Sequence, residues 1–213
     1  VGGGGGEVAS ELCVEEGEVG NAMVQTETFR VAEVLTEEGA EGLRKIQLQP
    51  LVPVKPMLAG GTVDEIKADE FPVWVERKYD GIRLMLHKST DARGSMLCGA
   101  YTRNRGDWLE QIAGLEATIK AIPVNTMIID GELFGTVLDL DGARPATVYE
   151  VYATLQGEPT KPVNLKFAAF DAIYFNGQDL TRQTLSQRRQ VLQMLLGPME
   201  QVATPIPTPE LTA

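Results

Sequence analysis

Segments with strand periodicity occupy most of the chain after residue 72 and constrain its fold more than any other feature. In the clearest segment, apolar residues fill every second position, at Ile82, Leu84 and Leu86. Three more segments predict strands, over 97–103, 126–134 and 165–175, the last followed by the hairpin turn pair Asn176-Gly177. Helical patterns are fewer and do not alternate regularly with the strands. The sequence therefore predicts an α+β fold with mostly antiparallel strands and flanking helices.

Three helices are expected around these strands. Apolar residues at helical spacing predict a short helix near 28–38, followed by a turn and an extended exit. Asp107 is expected to cap a second helix, whose apolar face is formed by Trp108, Ile112, Leu115 and Ile119. Thr184 and Gln187 form a capping box for a third helix that ends near residue 196.

Composition divides the chain near residue 50. Residues 1–25 begin with a run of glycines and are expected to be a linker. The stretch 50–56 contains three prolines, which is typical of an extended connector. The stretch 202–213 also contains three prolines and has no periodicity, so no regular element is expected there. We therefore expect a short helical piece over 26–50 and the main domain over 51–213.

Composition also excludes several classes of protein. Hydrophobic residues make up 43% of the 213 residues, which is enough for a core. No run approaches the ~20 apolar residues that span a bilayer, so no membrane partner is expected. Two cysteines and one histidine disfavour a disulfide framework and a Cys/His zinc site, and they indicate a reducing, intracellular compartment. The histidine, His87, is expected to be a structural or surface residue.

The net charge is unevenly distributed along the chain. The whole chain carries −11, which argues against a nucleic-acid partner because phosphates attract clustered Lys and Arg. Residues 1–50 hold ten acidic and three basic residues, so −7 of this charge belongs to the front segment. The net charge therefore does not exclude DNA as a partner.

The residues that carry most chemistry lie in the segment 76–83, with the sequence Glu-Arg-Lys-Tyr-Asp-Gly-Ile-Arg. A protonated lysine, with an ordinary pKa of about 10.4, is a poor nucleophile. Nearby cations and partial burial lower the pKa of a lysine and free its amine for attack. Arg77 and Arg83 are placed to supply that charge to Lys78 and to bind an anionic substrate. An exposed turn with a surface lysine fits the same residues.

Residues 78–83 resemble the Lys-x-Asp-Gly-x-Arg signature of the covalent nucleotidyltransferases, which include ATP-dependent DNA ligases, RNA ligases and mRNA capping enzymes. Segments similar to other motifs of these enzymes follow in the family's order: Thr102-Arg103-Asn104, Asp130-Gly131-Glu132, Phe167–Ile173 with Asn176-Gly177, and Leu185–Leu192. Upstream, Pro53–Ala59 and Val31–Leu48 are similar to segments of the replicative-type DNA ligases. The resemblance covers about residues 26–196 and identifies the chain with the ATP-dependent DNA ligases.

This resemblance implies an ATP-grasp-like nucleotidyltransferase fold. Residues 51–213 would form an adenylation domain that is incomplete at its C-terminus, and 26–50 would be the C-terminal remnant of a helical DNA-binding domain. The family's later Glu-Gly and Lys-x-Lys motifs are not found in 197–213. We therefore expect an internal fragment of a longer ligase, preceded by a linker over 1–25.

The whole enzyme is expected to act as a monomer. It would join the 3′-hydroxyl and 5′-phosphate at nicks in double-stranded DNA during replication, repair or recombination. Its expected location is intracellular, in the cytoplasm or nucleoid of a prokaryote or the nucleus of a eukaryote.

The resemblance also implies roles in lysine adenylation and base recognition. Lys78 would attack the α-phosphate of ATP, form a lysyl–AMP and release pyrophosphate. Glu76 would accept a hydrogen bond from the exocyclic amine of adenine, which favours adenine over guanine. Phe170 would stack on the adenine ring. Asp80 would either orient Lys78 or shape the corner.

Three further side chains are implied to hold the rest of the nucleotide. Arg83 and Arg103 would bind the ribose and phosphate groups, because a guanidinium makes forked contacts with oxyanions. Glu132 would contact the ribose hydroxyl or a Mg²⁺ ion. Magnesium takes one or two carboxylates together with phosphate oxygens, so a single carboxylate is sufficient.

Other interpretations stay open. In one alternative the chain belongs to an RNA ligase, or to a capping-type enzyme that uses GTP. In another, it is a truncated fragment that binds ATP without catalysis. Phe170 also fits a core position, Glu132 a solvated strand position and Arg103 a turn. Arg188 and Arg189 are expected on a solvated helix face, with contact to DNA phosphates as the alternative.

Overall fold

The computed structural model describes residue 22 and residues 28–58, 60–67, 73–196 and 203–206. The helices of these residues are α1 (Thr28–Lys45), α2 (Leu115–Ala121), α3 (Val148–Leu155) and α4 (Leu185–Leu196), with a short 3₁₀ helix at Val63–Glu65. The strands are β1 (Val73–Glu76), β2 (Ile82–Thr90), β3 (Met96–Thr102), β4 (Met127–Asp139), β5 (Gly142–Pro145), β6 (Val163–Phe175), β7 (Gln178–Asp179) and β8 (Ala203–Ile206). The predicted linker over 1–25 lies outside the described residues except for Ala22.

The described strands form two sheets in which every pair is antiparallel. The larger sheet has the order β3-β2-β4-β6-β7, with β5 paired to β4. The smaller sheet pairs β1 with β8. The expected α+β class with antiparallel strands is confirmed. The expectation of no regular element in 202–213 was wrong, because Pro205 lies in β8, where a two-stranded ribbon tolerates a residue without an N–H.

The main core fills the space between one face of the larger sheet and helices α2, α3 and α4. Alternate residues of β2 and β4, such as Leu84 and Ile129, point into it and are fully buried. Ile119 of α2, Val151 of α3 and Leu192 of α4 meet them there. Each such side chain contributes about 1.5–3 kcal/mol through removal of apolar surface from water. This core fixes the sheet as a rigid platform.

The opposite face of the sheet is partly covered by the connector, which we define as residues 46–58. Leu48 and Val54 of the connector pack with Met85 of β2 and Ile128 of β4. The cover is therefore apolar and lies over the half of the face that is remote from the start of β2. The other half of the face carries charged side chains.

Two predicted helices differ from the structure. α1 does not stop near residue 38 but continues to Lys45 after a break at Gly39, which has φ 64° and ψ −158°. Asp107 does not cap a helix, because its carboxylate accepts hydrogen bonds from the N–H groups of Ala100 (3.1 Å) and Leu109 (3.0 Å). The second helix begins only at Leu115. None of the described helices is long and apolar enough to cross a bilayer.

Candidate functional site

The corner between β1 and β2 presents Lys78 to solvent. Tyr79, the next residue, packs its ring on Phe134 with 4.5 Å between ring centroids. A Cβ at Gly81 would lie 2.1 Å from the carbonyl oxygen of Leu133, so only glycine permits this approach of the corner to β4. The two residues that fix the corner against β4 therefore directly follow an exposed lysine.

Arg83 and Asp130 form a forked ion pair on the open half of the sheet face. Arg83 Nε donates to Asp130 Oδ1 at 2.5 Å, and Arg83 Nη2 donates to Asp130 Oδ2. Strand register explains the meeting, because Arg83 lies opposite Glu132, and Asp130 shares that face two residues away. Asp130 is only 4% exposed, and burial raises its pKa although Arg83 opposes the shift. Sequence reasoning assigned no role to Asp130, although its two-residue spacing from Glu132 was visible.

Phe170 lies in a β-bulge and packs under Arg83. The pairing of β4 with β6 skips one residue between Asp171 and Ala169, which leaves Phe170 as the extra residue. The guanidinium carbon of Arg83 lies 4.7 Å from the centroid of the Phe170 ring. The ring is half-buried on the charged face and not among the residues of the main core. In the structure one face of the ring is therefore covered by the Arg83 guanidinium.

The carboxyl of Glu132 interacts electrostatically with four charged groups of the site. Burial raises the pKa of its half-buried carboxyl; Arg83 and Lys78 lower it, and Asp130 and Asp80 raise it. These four charged groups therefore lie within electrostatic range of one carboxylate. The structure brings the corner and the charged face together.

The carboxylate of Glu76 forms an ion pair with Arg189 of α4. The preceding residue, Arg188, makes a forked pair with Asp171, with distances of 2.8 and 2.9 Å. The two arginine side chains are only 14% and 11% exposed, so the expected solvated helix face was wrong. Glu76 lies in β1 and Asp171 in β6, so the helical pattern of α4 alone could not reveal these contacts.

Arg103 lies at the edge of the candidate site. It follows Thr102, which pairs with Leu84, so it lies at the same end of the sheet as Arg83. Its side chain is exposed and forms no hydrogen bond or ion pair with the described part of the chain. The structure therefore groups the predicted residues Lys78, Arg83, Glu132 and Phe170 and leaves Arg103 beside them.

The residues fit a magnesium ion only together with phosphate oxygens. Across the described ranges, no group of three or more His, Cys, Asp or Glu side chains is placed to hold a metal. Asp130 is engaged by Arg83, which leaves Glu132 as the carboxylate on this face with free acceptor capacity. One carboxylate plus phosphates is a normal magnesium environment.

Comparison with known sequences gives a consistent family. Residues 56–208 match the family model described as "ATP dependent DNA ligase domain". A DNA ligase of Methanothermobacter thermautotrophicus is 31% identical over 187 residues, which cover 82% of this chain and 31% of that protein. A DNA ligase of Caldivirga maquilingensis is 32% identical over 183 residues, which cover 81% of this chain and 29% of that protein. The chain spans about a third of the length of these curated relatives.

Two solved structures are also similar to the chain. The ligase domain of LigD from M. tuberculosis matches with a TM-score of 0.48 and 24% sequence identity, over 70% of this chain and 46% of that one. A mycobacterial DNA ligase D complexed with ATP and MES matches with a TM-score of 0.39 and 23% identity, over 57% of this chain and 36% of that one.

Proposed function

Because the chain belongs to the ATP dependent DNA ligase domain family, we propose that it forms the nucleotide-binding part of an ATP-dependent DNA ligase, with Lys78 as the nucleophile. The observation that supports this most is the position of Lys78. It is exposed on a corner that Tyr79 and Gly81 fix against β4, and its charge acts on Glu132. A nucleophile has to be accessible and held in place, and Lys78 is both.

The first chemical step follows from this placement. Lys78 Nζ, after it loses a proton to solvent, attacks the α-phosphorus of ATP. A nitrogen–phosphorus bond forms, the bond from the α-phosphorus to the bridging oxygen breaks, and pyrophosphate leaves with the electron pair. Arg83 and Arg103 supply positive charge to the phosphate and ribose oxygens during this transfer.

Phe170 and Glu76 hold the base in this proposal. Phe170 offers a ring face at the bulge, and Arg83 covers that face in the structure. Movement of Arg83 toward the ribose and phosphates therefore uncovers the ring for adenine. Glu76 accepts from the exocyclic amine, as a carboxylate can only accept. Asp80 lies close enough to act on Glu132 and shapes the charge around Lys78.

Glu132 completes the nucleotide site by holding the ribose hydroxyl or Mg²⁺. When bound, the ion supplies positive charge to the phosphate oxygens. The carboxyl is half-buried beside Arg83, so it is held at the face where the phosphates would lie. This role requires Glu132 to be ionised; burial raises the pKa of its carboxyl, and Arg83 and Lys78 oppose that shift.

The later steps would pass AMP to the 5′-phosphate of a nick and join that phosphate to the 3′-hydroxyl. Nicked double-stranded DNA is thus the proposed partner, bound by a monomer inside the cell. Residues 51–213 are proposed as part of the adenylation domain and 26–50 as the end of a DNA-binding domain. The separate apolar cluster of α1, formed by Val31, Val34, Leu35 and Leu43, supports that division.

The test is formation of the lysyl–AMP. Incubation with ATP and Mg²⁺ is expected to raise the intact mass by one AMP, and Lys78→Ala is expected to abolish the gain completely. Lys45→Ala removes an exposed lysine at the end of α1 and is expected to leave the gain unchanged.

Three results would contradict the proposal. Labelling by GTP in preference to ATP would indicate a capping-type enzyme. Binding of ATP without an adduct, in this chain and in any longer natural protein that carries it, would indicate a non-catalytic module. An adduct that survives Lys78→Ala would place the nucleophile elsewhere.

A further inference from the structure

Two neighbouring arginines of α4 each hold a carboxylate beside the proposed base pocket. Arg189 pairs with Glu76, which lies two residues before Lys78. Arg188 holds Asp171, which directly follows Phe170. One helix therefore connects the residue proposed to read the base edge with the strand that carries the residue proposed to stack on the base.

We propose that Arg189 is a positioning residue for Glu76, and that α4 thereby sets the preference of the site for a purine with an exocyclic amine. This inference rests on the proposed function, because it takes Glu76 as the residue that reads the base. It assigns to α4 a role in nucleotide selection.

The chemistry of the pair supports selection. Arg189 Nη2 engages Oε1 of Glu76, which leaves Oε2 to accept a hydrogen bond from the ligand. An amine at position 6 of the purine donates to that oxygen, whereas a carbonyl there, as in guanine, meets it with like partial charge. A glutamate without its arginine samples several rotamers, so it loses the fixed direction on which discrimination depends.

The burial of Arg189 indicates that its ion pair with Glu76 is the main role of this side chain. Its side chain is only 11% exposed, and burial lowers the pKa of its guanidinium. Its Nε is buried and has no hydrogen-bond partner within the described residues. Burial of an incompletely paired guanidinium is unfavourable, and apolar residues suit a buried helix position better. The ion pair to Glu76 is the interaction that the helix gains from an arginine at this position.

Arg188 fixes the orientation of α4 about its axis, so that Arg189 stays directed toward Glu76. Its guanidinium makes two bonds to Asp171 and donates a third, at 2.7 Å, to the carbonyl oxygen of Gln183 just before α4. Thr184 and Gln187 close the capping box at the same end. Rotation of α4 about its axis would break the two bonds to Asp171, which lies on another element.

The experiment compares ATP with purine riboside triphosphate, which lacks the exocyclic amine. The measured quantity is the ratio of their second-order rate constants for formation of the lysyl–nucleotide adduct. We expect the unchanged chain to favour ATP by about tenfold or more, the effect of a hydrogen bond to a charged group. Arg189→Ala is expected to reduce this ratio to within about twofold of unity, as Glu76→Ala does, and the double variant to lose nothing further.

Controls separate positioning from folding. Arg182→Ala removes an exposed arginine just before α4 and is expected to keep the full ratio. Arg189→Lys keeps a charge but not the planar guanidinium, so an intermediate ratio is expected. If Arg189→Ala is unfolded by its thermal melting curve, Arg189→Gln and Arg189→Lys provide the same comparison. Equilibrium binding of the two nucleotides gives the ratio independently of the adduct.

The outcomes distinguish this inference from the proposed function. The inference is wrong if Arg189→Ala slows both nucleotides equally, if it keeps the ratio, or if the unchanged chain does not prefer ATP at all. An adduct at Lys78 would stand in each of these cases. Absence of the adduct together with an Arg189-dependent binding ratio would overturn the ligase chemistry but support the inference. Absence of both adduct and binding would overturn both.

Discussion

The face of the larger sheet opposite the main core consists of a covered half and an open half, both built from β2, β4 and β6. In the covered half the connector lies over Met85, His87, Ile128 and Tyr174. In the open half the side chains are those of the candidate site, namely Arg83, Asp130, Glu132, Phe170 and Asp171. The boundary falls where Arg83 Nη2 lies 3.5 Å from the carbonyl oxygen of Met57, near the end of the connector.

The two halves satisfy their polar groups in different ways. In the covered half, His87 and Tyr101 both bond to the backbone of Leu51, while His87 Nε2 is buried without a hydrogen-bond partner among the described residues. In the open half, carboxylates pair with arginines, which can exchange a carboxylate for a phosphate. The difference shows why the site lies where it does: the connector buries the neutral half and leaves the exchangeable charges open to a ligand.

The pH dependence of stability is expected to show the largest effect, and it arises in the covered half. His87 is fully buried, its Nδ1 accepts from the N–H of Leu51 at 3.0 Å, and burial lowers its pKa to about 3. In the unfolded chain its pKa is about 6.5. As pH falls through this window the unfolded state takes up a proton that the folded state does not, so stability falls by up to about 5 kcal/mol. More than about one unit above pH 6.5 this group contributes no pH dependence.

Urea unfolding at a series of pH values measures this loss. The chain has one histidine, so the NMR signals of its ring report the pKa without assignment. His87→Gln keeps an acceptor for Leu51 and is expected to flatten the dependence between pH 6.5 and 4. A ring that titrates near pH 6.5 in the folded chain would show that the covered half is open to water.

Much of the sheet could be predicted from the sequence, because alternation along β2 reports directly which face is buried. α3 was missed, although Thr147 and Glu150 have the spacing of the capping box that the structure shows. Asp107 has the character of a helix cap, but the N–H of Ala100 from β3 takes its carboxylate. Local sequence signals thus identified helices and strands. Contacts between distant segments decided which hydrogen bonds a side chain such as Asp107 forms.

The site was predictable to a similar extent. The motifs placed Lys78, Arg83, Glu132 and Phe170 in sequence order, and strand register then explains how the last three share a face. The pairing of Arg189 with Glu76 joins α4 to β1, and no sequence period connects these segments. The roles of all these residues stay predictions until the adduct is measured.

The open half is expected to show the next largest effect when its buried pair is broken. Asp130→Asn removes the charge that faces Arg83, and loss of a fully buried partner costs about 3–5 kcal/mol. Arg83 is 25% exposed and regains some hydration, so we expect about 2 kcal/mol from urea unfolding at pH 7. Glu33→Gln breaks the exposed Arg30–Glu33 pair of α1 and is expected to leave the unfolding midpoint unchanged. Equal midpoints for the two variants would mean that the open half holds its charges no more tightly than the protein surface does.

The smallest expected effect tests how firmly the connector covers its half. Tyr101 donates its hydroxyl to the carbonyl oxygen of Leu51 at 3.0 Å, and its ring meets His87 edge-on at 4.8 Å between centroids. Tyr101→Phe keeps the ring contact and removes only the hydrogen bond, so we expect a loss of about 1 kcal/mol in urea unfolding. The N–H of Leu51 bonds to His87, so its hydrogen exchange reports local opening of the connector. If the connector opens locally, the free energy of opening measured there should fall by a similar amount. Unchanged exchange together with reduced global stability would show that the connector unfolds only with the sheet, so that the boundary of the site is fixed by the whole fold.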